Sequence, residues 1–478
     1  MFTLLDSHRS TDGRLTRRQW LQFGSLLGLR GLATAAACGE SPTAKLPGFD
    51  RAKSVIVVFT SGGQSQIDLW DPKPNAPLDV RGEFQQISTA VPGIQFTEHL
   101  PRVAKVADRL TVLRSLSHQD VDHGSAVYLT LTGQYHAQRS GNPPPRPEDL
   151  PTFGAVLQRV KAEQHQPKKF LYDAIHLNGP IQMPVLLAPG QNSGLLGKDF
   201  DPLVLGDVRA SGQILPGLAP QDEWSQVRLS QRLTLKEQLD SHARNLEQNR
   251  RALDMNLLYR QAYEMLATPQ ARAAFDLDAE PDSIRNRYGR HRSGQACLLA
   301  RRLVEIGVPY VNVIWNHANR GQDLAPDDTD FYGWDTHNDI FGSLKNRLLP
   351  RFDESFSALI EDLDVRGLLA STLVVCIGEF GRAPQIAVES KFKGSAPGRK
   401  HWATVYSAAL AGAGMQRGAV VGASDRLGAE PVTERFGPWD IAATIFHALG
   451  IDPAGHFTDA VGRPYAIATG RPIGELYG

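Results

Sequence analysis

Seven consecutive residues, Gly333-Trp334-Asp335-Thr336-His337-Asn338-Asp339, bring two carboxylates and an imidazole together. Carboxylate and imidazole in one set suit zinc, manganese or iron, whereas all-oxygen sets suit calcium or magnesium. The triplet also has a plain structural use, because Asp335 or Thr336 could accept a backbone N–H bond and cap the helix that follows.

Other polar clusters punctuate the chain in the same way. His118, Asp120, Asp122 and His123 fall within six positions, just before a segment of helical pattern. Glu379 and Arg382 stand in Gly378-Glu379-Phe380-Gly381-Arg382, and His401 in Gly398-Arg399-Lys400-His401-Trp402. Near the start, Thr60-Ser61-Gly62-Gly63-Gln64-Ser65 precedes Asp68 and Asp71. Its paired glycines fit either an ordinary turn or a nest of backbone N–H groups that holds an anion.

All of these clusters except the one at His401 follow an apolar run of strand length. Ser54 to Phe59, Leu110 to Arg114, Pro309 to Trp315 and Ser371 to Ile377 are short and rich in β-branched residues, as strands covered on both faces are. Helical patterns alternate with them, at Thr152 to Glu163, Ser293 to Ile306, Ile340 to Leu363 and Trp439 to Leu449. Repetition of strand, polar loop and helix predicts an α/β fold with a doubly wound, mostly parallel sheet and helices on both faces. In such a sheet the carboxyl ends of the strands line one edge, where distant clusters can share a site. One domain over residues 51–478 is expected, with a mostly irregular and helical insertion at about 165–290 that includes a long helix from Leu229 to Leu266.

With 51 basic and 51 acidic residues the formal charge is zero, so nothing global points to nucleic acid. Residues 1–38 read as a targeting segment, with Thr16-Arg17-Arg18-Gln19-Trp20-Leu21 before a small apolar run to Ala37. That order resembles a twin-arginine signal and implies the twin-arginine translocation machinery as a partner, export to the periplasm or beyond, and no transmembrane helix in the mature chain. Cys38 after Ala35-Ala36-Ala37 also allows lipid anchoring, and residues 39–50 read as a linker. Cys297 and Cys376 are either a disulfide pair or two buried thiols.

From about Ser54 to Leu476 the chain resembles the secreted bacterial family known as domain of unknown function 1501, itself similar to sulfatases and alkaline phosphatases. The phrases that carry the resemblance are Ser61 to Pro74, His123-Gly124 with Leu131-Thr132-Gly133, Gly333 to His337, Gly378 to Arg382 and Gly398 to Trp402. It implies an exported hydrolase of a phosphate or sulfate ester that depends on a divalent metal (zinc, manganese or calcium). The ligand set it implies is Asp335, His337 and His401, with Asp68 replacing an absent pair of aspartates and Glu379 as a further ligand or general base. Arg382 and the Gly62 and Gly63 amides would steady an anionic small-molecule or polysaccharide substrate. His123 falls where sulfatases carry their modified cysteine; it would be a phosphoryl acceptor or general acid/base, a metal ligand, or a scaffold residue. Ser65 and Ser125 are the alternative nucleophiles. Two other functions fit the same resemblance: a catalytically degenerate extracellular binding or scaffold protein, and a phosphate-transferring mutase or transferase.

Overall fold

The β-branched run at the head of the chain becomes strand β1 (Ser54–Phe59), buried along its whole length. A computed structural model describes residues 46–166, 172–183, 186–209 and 269–478. The targeting segment and the Leu229 to Leu266 helix expected from the sequence lie outside the described residues.

β1 sits near the middle of an eight-stranded sheet. The others are β2 (Thr111–Leu116), β3 (Ala174–Leu177), β4 (Leu203–Leu205), β5 (Tyr310–Ile314), β6 (Thr372–Ile377), β7 (Tyr406–Ala411) and β8 (Ala419–Val421). Their spatial order is β8-β2-β7-β6-β1-β5-β3-β4. β1 pairs in parallel with both β5 and β6, and only β7 runs antiparallel to its neighbours. The mostly parallel sheet expected from the alternation is therefore the one observed.

Alternate side chains of each strand enter separate cores. Ile56, Val58, Val311, Val313 and Val374 face one side, with helices α3 (Arg292–Ile306) and α4 (Leu349–Val365). Val55, Val57, Leu373 and Val375 face the other, with α1 (His123–Thr132), α2 (Phe153–Glu163) and α5 (Pro438–Ala448). Helices on both faces explain why these strands read as unbroken apolar runs.

Two details depart from the sequence reading, and a third decides between alternatives it left open. The stretch expected to be mostly irregular and helical, 165–290, contributes β3 and β4 to the main sheet. Their runs of four and three residues are too short for hydrophobic periodicity to register. The helix from Ile340 is interrupted by a π turn at Leu344–Leu348. Pro350, at the start of α4, has no N–H for an i−4 carbonyl, and the widened turn accommodates that loss. Cys297 and Cys376 are buried and free, so the disulfide alternative is not realised.

One patch of the second core is polar. His176 and Asn312 are cross-strand neighbours on β3 and β5, 1% and 0% exposed, with Tyr310 two positions away. Both ring nitrogens of His176, both amide atoms of Asn312 and the Tyr310 hydroxyl have no hydrogen-bond partner among the described residues. Burial alone pushes His176 down to about 4, which keeps its ring neutral. An unsatisfied buried amide costs about 1–3 kcal/mol, and an apolar group of the same shape removes that cost. Asn312→Leu is accordingly expected to melt at the same temperature as the wild type or ~1–2 °C higher. A clear drop in the melting temperature would show that the amide is satisfied after all.

Candidate metal centre

The loops after β1, β5 and β6 meet at the carboxyl edge of the sheet. Trp334 donates its backbone N–H to the Ser61 carbonyl at 3.1 Å, and Asp335 donates its own to Asn319 at 3.0 Å. A Cβ on Gly62 would lie 2.3 Å from the Asp335 nitrogen, so only glycine lets the two loops approach this closely. Arg320 fixes the loop from outside by donating to the Asp335 carbonyl at 2.7 Å.

The capping alternative for this loop is not what the fold uses. Asp339 occupies the N-cap position, with no side-chain cap bond. The Asp335 side chain turns inward, 3% exposed, and meets four partners. Its Oδ1 accepts from Arg382 Nη2 at 2.7 Å and lies 3.1 Å from both His337 Nε2 and His401 Nε2. Its Oδ2 lies 3.3 Å from His123 Nε2, at ion-pairing distance but without hydrogen-bond alignment.

The outer nitrogens of the imidazoles decide what the inner ones offer. His401 Nδ1 is 2.6 Å from the Val121 carbonyl oxygen, which places the ring proton on Nδ1 and leaves the Nε2 lone pair facing inward. His337 Nδ1 faces Glu389 Oε2 at 3.3 Å, and the ring stacks on Phe392 with 3.7 Å between centroids. Its Nε2 lies 2.9 Å from His401 Nε2, a hydrogen bond that puts a proton on His337 Nε2; a bound cation would displace that proton to Nδ1 and Glu389. Three potential ligand atoms thus converge, with one proton between the rings for a cation to displace.

Additional protons are disfavoured at this point. Burial, reinforced by the charge of His123, pushes His401 down to about 3, and burial lowers His337 as well. Although burial acts the other way on Asp335, His123 and Arg382 hold its carboxyl well below the usual range. A triangle with sides of 2.9, 3.1 and 3.1 Å fits three ligands held about 2.0–2.2 Å from one cation, the zinc distances for imidazole and carboxylate. Ligand atoms of His123, Asp335 and His401 likewise fall within 4.8 Å of one another. The residues present therefore fit a divalent metal.

His123 and Glu379 flank this triangle. His123 Nδ1 is 2.7 Å from Glu379 Oε1, which also accepts from the Gly62 amide at 2.8 Å. Glu379 Oε2 has no partner. Burial opposes charge on His123, yet Asp335 and then Glu379 outweigh it and push its pKa up to about 9. Phe380 closes the floor, its ring centroid 4.4 Å from that of His401 and 5.0 Å from that of His123.

Other residues singled out by the sequence are placed elsewhere or already engaged. Arg382 is fully buried and donates to the carbonyls of Gly62, Gly63 and Arg399 as well as to Asp335. It clamps the glycine loop, so the expected contact with a substrate anion is not offered. The Gly62 amide is taken by Glu379 and the Gly63 amide faces the Thr60 carbonyl. Asp68 is drawn away from the triangle: both oxygens accept from Arg399, at 2.8 and 3.0 Å, and Ser65 Oγ donates to it at 2.6 Å. Ser125 is buried and donates to Asp120 at 2.7 Å, so neither serine is presented as a nucleophile.

Four contributors were given no role by the sequence. His118 lies 2.8 Å from the Glu379 carbonyl through Nε2 and accepts from the Asp120 amide through Nδ1. Burial pushes it down to about 4, matching that neutral bridging form. Glu389 and the Val121 carbonyl orient the two ligand imidazoles, as outer partners of metal-binding histidines do. Arg399 answers Asp68 across 331 positions of sequence. Both groups of that pair are completely buried, so removing one partner leaves an uncompensated charge. Arg399→Met is expected to lose about 3–5 kcal/mol of stability in chemical denaturation, with much of it restored in the Asp68→Asn/Arg399→Met double variant. If Arg399→Met unfolds like the wild type, the pair is not structural and Asp68 regains its claim as a ligand.

The structure is similar to a phosphonate monoester hydrolase from Silicibacter pomeroyi, at 14% identity over 89% of this chain and 77% of that one, with a TM-score of 0.38. The PsFucS1 sulfatase from Pseudoalteromonas sp. is matched at 12% identity over 90% and 71%, with a TM-score of 0.34. Alkaline phosphatase from the Antarctic bacterium TAB5 is matched at 10% identity over 84% and 97%, with a TM-score of 0.30. None of the curated proteins matches the chain. Residues 52–477 match the family described as protein of unknown function DUF1501, and the chain belongs to that family.

Proposed function

We propose that this chain is an exported, metal-dependent hydrolase of a phosphate or sulfate ester. The observation that carries the reading is the convergence of His337 Nε2, His401 Nε2 and Asp335 Oδ1 at 2.9–3.1 Å, a set that offers three electron pairs once the proton between the rings is displaced. A divalent cation there would polarise an ester oxygen and lower the pKa of water. Zinc and manganese suit this mixed nitrogen and oxygen set better than calcium does.

The chain's own residues supply the proton chemistry. His123, held between Glu379 and Asp335, keeps its proton at neutral pH in the metal-free site, and beside a bound cation it would be the group placed to offer a proton from Nε2 to a leaving-group oxygen. Glu379 holds the ring in register by accepting at Nδ1, a positioning role given by the 2.7 Å contact. With Ser65 and Ser125 engaged elsewhere, water is the favoured nucleophile. Export rests on the Arg17-Arg18 segment; among the described residues no helix is long and apolar enough to cross a membrane.

A second reading, a degenerate binding protein, has its own support. Arg382 and His123 face Asp335 and Glu379, so the cluster approaches charge balance without a metal. Elemental analysis of the purified protein together with aryl phosphate and aryl sulfate assays separates the two. The hydrolase reading expects a bound transition metal, and Asp335→Ala and His401→Ala should each cut metal affinity and turnover by at least about tenfold. Protein that holds no metal and turns over neither ester with added zinc or manganese would leave the binding-protein reading standing.

A further inference from the structure

Beside the metal centre lies a cavity of about 520 Å³ that the triangle does not use. Two segments separate them and line both. In the first, Ser117, His118 and Gln119 face the cavity, while the Val121 carbonyl and His123 serve the triangle. In the second, Thr404 faces the cavity and His401 serves the triangle. An occupant of the cavity would thus lie within a few residues of the reacting groups on two strands of chain at once.

The wall of this cavity is aromatic. Tyr135 and Trp439 stand with ring centroids 5.7 Å apart at 41°, and both are partly exposed. Phe436 continues the wall and is buried. The rim is basic. Arg139, outside the lining, stacks its guanidinium 3.9 Å over the Tyr135 ring, while the basic lining residue is Arg435, 59% exposed and 3.6 Å from the exposed Glu430. Such an exposed pair is weak and easily exchanged for another anion. No carboxylate lines the cavity. Gln119 and Thr404 add neutral polar groups.

We infer that this cavity is a binding subsite for an anionic sugar residue of a glycan. A sugar ring has an apolar C–H face for Tyr135 and Trp439 and hydroxyls for Gln119 and Thr404. A sulfate or carboxylate on it is matched by Arg435, through the charge-assisted bonds that arginine makes with planar and tetrahedral anions. The volume falls in the range of small-molecule sites, about 300–1,000 Å³. A simple aryl ester needs no such wall, so the subsite names the substrate class of the neighbouring centre. In that respect it rests on the hydrolase reading, while binding itself does not.

The test is calorimetric titration of the full chain with a sulfated galactan tetrasaccharide, its desulfated counterpart and inorganic sulfate, repeated after chelation of divalent ions. The sulfated tetrasaccharide is expected to bind more tightly than either of the others, with or without chelator. Trp439→Ala should weaken it at least about tenfold through loss of ring contact. Arg435→Gln should weaken the sulfated ligand about tenfold and leave the desulfated one unchanged. Tyr135→Ala provides the same reading if Trp439→Ala fails to fold. Absence of binding, affinity unchanged in these variants, or affinity abolished by the chelator would each overturn the subsite. Affinity that persists in metal-free, inactive protein would support the subsite while the hydrolase reading fails.

Discussion

A carboxylate as deeply buried as that of Asp335 is stable only where donors or positive charge surround it. Arg382 supplies a donor and His123 a positive charge, and the rest of the cluster is arranged about the carboxylate they share with His337 and His401. The same carboxylate fixes the position of its loop, because the side chain can reach these partners only when Gly62 admits the Asp335 backbone beside it. Packing of the sheet's central strands, a glycine contact and an electrostatic centre are therefore one constraint. A change in any of them would misplace the others.

The cluster divides into groups that hold the chain and groups that face outward. Arg382, Arg399, Asp68 and His118 spend their hydrogen bonds on carbonyls and on each other. His337, His401 and His123 keep an inward nitrogen with no backbone partner, oriented from behind by Glu389, the Val121 carbonyl and Glu379. Chemistry belongs with the second set. Interior cations such as Arg382 and Arg399 make the carboxylates tolerable in the core, and that service removes them from substrate recognition.

Much of this was legible in the sequence because every cluster except the one at His401 follows an apolar run. Strand ends share an edge in a doubly wound sheet, so Asp335, His337, Glu379 and His401 could be expected together, and the structure brings them together. Arg382 read as an anion ligand, since nothing in Gly378 to Arg382 reveals that the carbonyls of Gly62 and Gly63 point at it. Asp68 read as a substitute ligand for the same reason: its partner, Arg399, is distant in sequence. Strands β3 and β4 escaped notice because Ala174-Ile175-His176-Leu177 and Leu203-Val204-Leu205 are short, and the first carries a histidine. The aromatic wall at Tyr135 and Trp439 has no sequence signature, as it joins the end of one helix to the start of another.

The function turns on whether His337, His401 and Asp335 together hold a cation. Anomalous diffraction from crystals of the protein grown with zinc, recorded on either side of the zinc edge, tests it most directly. The account predicts one anomalous peak about 2.0–2.2 Å from His337 Nε2, His401 Nε2 and an Asp335 oxygen. A map with no peak at that point, and the two imidazole nitrogens still in mutual contact, would contradict it.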